Sequence, residues 1–166
     1  MDPTSDKIKN MVVSDFMTKN VKTVTENETM RQACKLMYQE NIGSVVILKK
    51  DTHEKEQETP VGIVTERDIA RVIGLSPKFL ADTDVSDVMS KPLITITPKT
   101  SLRDAVALMD EKNIRRLPVV NYKGEMTGIV TAKDILKAVI NIFKETMKDQ
   151  DFMSEGFDLL GLIGTE

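Results

Sequence analysis

This sequence predicts an α/β (α+β) fold: two tandem β-α-β-β-α units packed sheet to sheet about a pseudo-two-fold axis. Three observations predict it. The first is internal repetition. VSDFMTK (13–19) returns as VSDVMSK (85–91), and residues 13–47 share 13 of 35 positions with 85–119 at a constant offset of 72. Farther on, GIVTERDI (62–69) returns as GIVTAKDI (128–135), with six of eight positions identical. The second is periodicity, since each copy carries one stretch with helical spacing followed by two short apolar runs. The third is size. A unit of about 55–60 residues exposes too much surface for its volume to be stable alone, so two copies are expected to bury their sheet faces against each other.

Each copy opens with a short helical turn, Val13–Met17 in the first, and a brief extended stretch, Thr23–Thr25 and again Thr95–Thr97. A helix is predicted over Met30–Glu40, with apolar residues at 30, 33, 34 and 37. Thr29 caps it, and Ser101 takes that place in the second copy. Strands follow at 44–48 (SVVIL) and 116–120 (RLPVV), then after a hairpin at 61–65 and 127–131. The closing helices begin at Glu66 and Ala132. Between the strands the offset slips by six, because KKDTHEKEQETP (49–60) stands where the second copy has the short turn NYKGE (121–125). This polar insertion is expected to be a solvated hairpin tip, where extra length costs little entropy. The expected boundaries are a first unit at 8–74, a linker at 75–84, a second unit at 85–142 and a helical tail at 143–166.

Composition narrows the function. The 166 residues are 40% apolar and 30% charged, with a net charge of −3. A broad nucleic-acid-binding face would leave a basic balance, so nucleic acid is not an expected partner. No apolar run has the roughly 18 residues of a membrane helix, and the N-terminus lacks the apolar core of a secretory signal. The chain is therefore read as cytoplasmic and not membrane-bound. One cysteine, Cys34, and one histidine, His53, make zinc-cluster spacing and Cys/His nucleophilic catalysis improbable. No catalytic residue and no metal ligand is assigned. Cys34 falls in an apolar helical pattern and reads as a small packed hydrophobe.

Two features carry chemistry. Each second strand ends in Thr with Asp three residues later, at Thr65–Asp68 and Thr131–Asp134. One reading is helix capping, with the threonine oxygen accepting backbone N–H groups and the aspartate suiting the helix dipole. The other is ligand binding: a helix N-terminus attracts phosphate, and a carboxylate can accept both hydroxyls of a ribose. Arg67 and Lys133 add a cation to each junction. The second feature is Asn113-Ile114-Arg115-Arg116-Leu117-Pro118, where two arginines open an apolar strand. Planar guanidinium groups suit phosphate. The first copy carries Ile42-Gly43-Ser44 there, so the two halves are chemically unequal.

These segments in this order, given twice from about Val13 to Ile140, resemble a pair of cystathionine-β-synthase-type (CBS) domains, a Bateman module. The carrying residues are VSDFMTK, TVT, NIGSVVI and GIVTERDI with their counterparts. The resemblance implies a non-catalytic regulatory module that binds an adenosyl compound in the clefts between units. It implies that Asp68 and Asp134 hold ribose hydroxyls, and that Thr65 and Thr131 touch phosphate or ribose. Val21, Thr23, Ile42 and Ile63 would line one base pocket, and Leu93, Thr95, Ile114 and Ile129 the other. Arg115, Arg116 and Lys133 would contact phosphates, with Arg67, Gly43 and Pro118 completing the candidate set. The arginine pair favours a phosphorylated ligand, AMP first, with ADP or ATP next. An S-adenosylmethionine or NAD sensor, or an interaction and dimerisation module with unused pockets, is the alternative. A homodimer and an effector protein are the expected partners.

Overall fold

The structure, a computed structural model, describes residues 3–50, 58–75 and 83–148. His53, residues 76–82 of the expected linker and the tail from residue 149 lie outside the described residues.

The first unit contains helix α1 (Pro3–Asn10), a 3-10 turn at Val13–Asp15, strand β1 (Thr23–Thr25), helix α2 (Met30–Gln39), strands β2 (Ser44–Lys50) and β3 (Glu58–Thr65), and helix α3 (Glu66–Leu75). The second contains helix α4 (Val85–Val88), helix α5 (Leu102–Lys112), strands β4 (Arg116–Val120) and β5 (Met126–Thr131), and helix α6 (Ala132–Lys148). Part of the charged insertion thus extends the first hairpin: Lys49 pairs with Thr59 and Lys50 with Glu58. The helical tail expected from residue 143 is continuous with α6 as far as Lys148.

Local chemistry explains the element ends. Thr29 accepts from the Gln32 N–H while Gln32 answers at the Thr29 N–H, a reciprocal cap. Ser101 accepts from the Asp104 N–H at 3.0 Å. Asn41 and Asn113 end α2 and α5 with φ of 51° and 52°, a left-handed conformation that asparagine tolerates.

The strands are apolar on both faces because both faces are covered. Val45, Ile47 and Val64 pack under α2 with Met30 and Met37. Leu117, Val119 and Val130 pack under α5 with Leu102 and Met109. The opposite faces meet each other, where Val46, Leu48 and Ile129 are buried with Val21, Ile63, Leu93 and Met126. Removing the fully buried Met30, Ile47 or Leu117 from water contributes about 1.5–3 kcal/mol each.

Two findings go beyond the repeat. First, the opening turns are exchanged between units. Val13, Phe16 and Met17 sit in the core of the second unit, whereas Val85, Val88 and Met89 sit in the core of the first. The exchange is tied by backbone: Thr18 and Ile129 bond each other at 2.9 Å in both directions, and Ser90 pairs with Ile63. It also explains the glycine of each GIVT. A Cβ at Gly62 would collide with Met89 Sδ, and one at Gly128 would lie 2.7 Å from Met17 Sδ.

Second, the sheets differ. The first has order β1-β2-β3, while the second has only β4-β5. The expected extended stretch at Thr95–Thr97 is reduced to one parallel bridge, Ile96 with Val119. Proline is the reason. In the first unit the Val46 N–H donates to the Lys22 carbonyl at 3.3 Å. Pro118 stands where Val46 does, and Pro98 stands where Glu26 does, whose N–H donates to the Leu48 carbonyl at 3.1 Å; neither proline has an N–H to give.

Candidate functional site

The inter-sheet contact leaves a cleft of about 840 Å³ at the strand ends where α3 and α6 begin. Small-molecule sites span about 300–1,000 Å³, so this one has the size of a small-molecule site. Helix starts from both units face it, because β3 and β5 end in the same Thr-x-x-Asp turn and the units are related by their repeat.

The candidate residues gather here. Val21, Ile42, Gly43 and Ile63 line the cleft from the first unit, and Leu93, Ile114, Pro118 and Ile129 from the second. Thr65, Arg67 and Asp68 meet Thr131, Lys133 and Asp134 across it, with Arg115 and Arg116 alongside. Thr23 and Thr95 do not line it, which corrects the expectation that they do. The chain passes the cleft before those residues: Val21 and Lys22 flank it on one side and Leu93 and Ile94 on the other, whereas Thr23 is already in register beside Val46.

At the first junction the Asp68 carboxylate accepts from Thr65 N–H at 2.9 Å and Thr65 Oγ1 at 2.7 Å through one oxygen. Its other oxygen accepts from Arg71 at 3.4 Å, and the same guanidinium reaches the Val88 carbonyl at 3.3 Å. Asp68 is only 6% exposed. At the second junction Asp134 accepts from Thr131 N–H at 2.8 Å and Oγ1 at 2.6 Å, and the Asp134 N–H donates back to Thr131 Oγ1 at 3.2 Å. The second oxygen of Asp134 has no protein partner among the described residues. Lys137 stands where the first unit has Arg71. The threonine cap is thus present at the second junction, whereas at the first only the aspartate's return bonds from Thr65 are formed; Asp134 keeps one oxygen without a protein partner among the described residues.

Arg116 crosses the boundary between units. Its guanidinium lies 3.5 Å from Glu66 Oε2 at the start of α3. Arg115, Lys133 and Arg67 are exposed at the rim.

Sequence reasoning missed part of the lining. Thr18 and Ser90 belong to it through the exchanged turns, and Asn41 and Asn113 through the left-handed helix ends. Both pairs recur at the repeat offset of 72, which is the signal that could have found them. Glu66 and Ala132 also line the cleft, and their difference breaks the repeat. Cys34 is half-buried outside the cleft, and burial pushes its thiol above the ordinary value. Among the described residues no group of acids, cysteines and histidines is placed to hold a metal, and no helix is long and apolar enough to cross a membrane.

Comparison with known proteins agrees with this geometry. The family model of the CBS domain matches residues 13–75 and 85–141. A CBS domain-containing protein of Bacillus subtilis, YhcV, is 38% identical over 123 residues, covering 74% of this chain and 81% of its own. Among solved structures, CBSX2 in complex with AMP superposes with a TM-score of 0.66 at 27% identity, over 80% of this chain and 98% of that one. The CBS domain pair of protein MJ0100, in complex with 5′-methylthioadenosine and S-adenosyl-L-methionine, gives a TM-score of 0.67 at 26% identity, over 79% of this chain and 97% of that one. With both halves matched in tandem, the chain belongs to the CBS domain family as a CBS domain pair.

Proposed function

We propose that this protein is a non-catalytic regulatory module that binds an adenine nucleotide, AMP in preference to ATP or ADP, in the cleft between its two units. One observation carries the reading: two Thr-Asp junctions and an arginine pair open on a single cleft of nucleotide size. Asp134 is the favoured ribose acceptor, since it has an oxygen to spare. Val21, Ile42, Ile63, Leu93, Ile114, Pro118 and Ile129 supply apolar walls for the base. Arg115, Arg116 and Lys133 supply charge for phosphate, aided by the positive dipole end at the start of α6. Relatives of this fold with AMP or with S-adenosylmethionine bound support an adenosyl ligand, and the arginines favour the phosphorylated one. A ligand seated between the units signals by preferring one of their relative arrangements over another.

Isothermal titration calorimetry with AMP, ADP, ATP, S-adenosylmethionine and NAD tests the reading. AMP is expected to bind most tightly. Well-folded protein that gives no heat with any of the five would leave only a structural or interaction role. We infer a homodimer as well, supported by Ile73, Leu136 and Phe143, which are 44, 53 and 46% exposed on α3 and α6. Sedimentation of the same samples at the monomer mass would remove that part.

A further inference from the structure

We infer, on the footing of the nucleotide reading above, that Glu66 is a specificity-determining residue of the cleft: it competes with a ligand phosphate for Arg116. The pair is unusual in placement. Arg116 begins β4 in the second unit, yet its partner is in the first, fifty residues earlier. It lies directly over Gly43. A Cβ at Gly43 would collide with the Arg116 guanidinium and lie 2.8 Å from Glu66 Oε2. The pair thus occupies room that exists because residue 43 has no side chain.

The two partners are not equally held. The Arg116 side chain is 26% exposed and that of Glu66 71%. Arg116 is the more enclosed partner, and Glu66 is the end that swings away more readily. At 3.5 Å the contact is long, and exposed pairs of this kind contribute about 0–1 kcal/mol. A phosphate that engages the guanidinium with two oxygens makes shorter, charge-assisted bonds. It therefore displaces Glu66, though at reduced affinity, because the displaced carboxylate stays nearby as a like charge.

The device exists once. Ala132 replaces Glu66 in the second unit, and Ser44 replaces Arg116 in the first. A ligand without phosphate leaves the cross-unit pair in place, and a phosphorylated ligand opens it. Discrimination and release of one tie between the units are then the same event.

Titration of wild type, Glu66→Gln, Arg116→Gln and the double variant with AMP and with adenosine tests this. Glu66→Gln is expected to tighten AMP about three- to tenfold and to leave adenosine within about twofold. In the Arg116→Gln background the same change is expected to have no effect on AMP. The inference is overturned if Glu66→Gln weakens AMP or leaves it unchanged, if adenosine shifts equally, or if the gain persists without Arg116. Should wild type bind neither compound, the nucleotide reading fails separately, and inorganic phosphate alone decides the competition. The Arg116 Nε–H resonance is expected to shift at lower phosphate concentration in Glu66→Gln than in wild type. Equal titrations would overturn it.

Discussion

The two Thr-Asp junctions share sequence, backbone geometry and position in the fold, yet they differ in what is left over. Asp68 spends both oxygens on the protein, one on Thr65 and one on Arg71. Arg71 passes the tie on to Val88, in the turn borrowed from the other unit. Asp134 spends one oxygen on Thr131. The repeat supplies two carboxylates in equal settings, and among the differences downstream Arg71 against Lys137 is the one that engages the second oxygen of Asp68. A motif can therefore be intact in both copies while its hydrogen-bonding capacity is spent on the protein in one and partly spare in the other.

The sharpest way to break this comparison is to remove each carboxylate in turn. Asp68→Ala strands the half-buried Thr65 N–H and hydroxyl and is expected to cost about 1–3 kcal/mol of stability, with AMP affinity within about threefold. Asp134→Ala loses a cap, about 1 kcal/mol, but is expected to lower AMP affinity at least about tenfold, or 1.4 kcal/mol. Chemical denaturation and calorimetry on both variants measure the two quantities. Equal losses of affinity would mean that Arg71 does not withdraw Asp68 from the ligand.

A smaller effect separates the scaffold the halves share from the site they do not. Gly128 faces Met17 and the Thr18 carbonyl, and a Cβ there would sit 3.0 Å from that backbone oxygen. Backbone cannot step aside, so Gly128→Ala is expected to cost about 1–3 kcal/mol. Gly43 faces only the tips of Arg116 and Glu66, which can move into solvent. Gly43→Ala is expected to stay within about 0.5 kcal/mol of wild type. Thermal unfolding of the two variants decides the matter. If both cost the same, the exchanged turn is not held by that close approach.

The legible and illegible parts of this molecule divide along the same line. The tandem units, the caps at Thr29 and Ser101 and the junctions at Thr65 and Thr131 are written in local spacing, which the repeat displays twice. That Arg116 would come close to the other unit's junction could be anticipated, because pseudo-symmetry brings like elements together. The turn exchange could not, since VSDFMTK has the same sequence whichever core receives Val13 and Met17. Glu66 also escaped notice: as one more exposed acid opening a helix, it gains meaning only when Arg116 arrives over Gly43. Thr23 and Thr95 were misplaced because adjacency to Val21 and Leu93 in sequence does not reveal where the chain leaves the cleft.

The smallest effect tests why the two sheets differ. If Pro118 is what keeps the stretch at Thr95–Thr97 from becoming a strand, then Pro118→Val supplies the missing donor to the Ile94 carbonyl, as Val46 supplies Lys22. A new bond adds about 0.5–1.5 kcal/mol, while loss of the proline restraint on the unfolded chain takes back about 0.4–1 kcal/mol. Net stability is therefore expected to stay nearly constant, and the informative reading is local. Hydrogen exchange at the amide of position 118 should be slowed to the level of the neighbouring β4 amides. Exchange there as fast as in an open loop would show that Pro98 and the path of the chain through Pro92 and Leu93, not the proline in β4, hold the stretch away from the sheet.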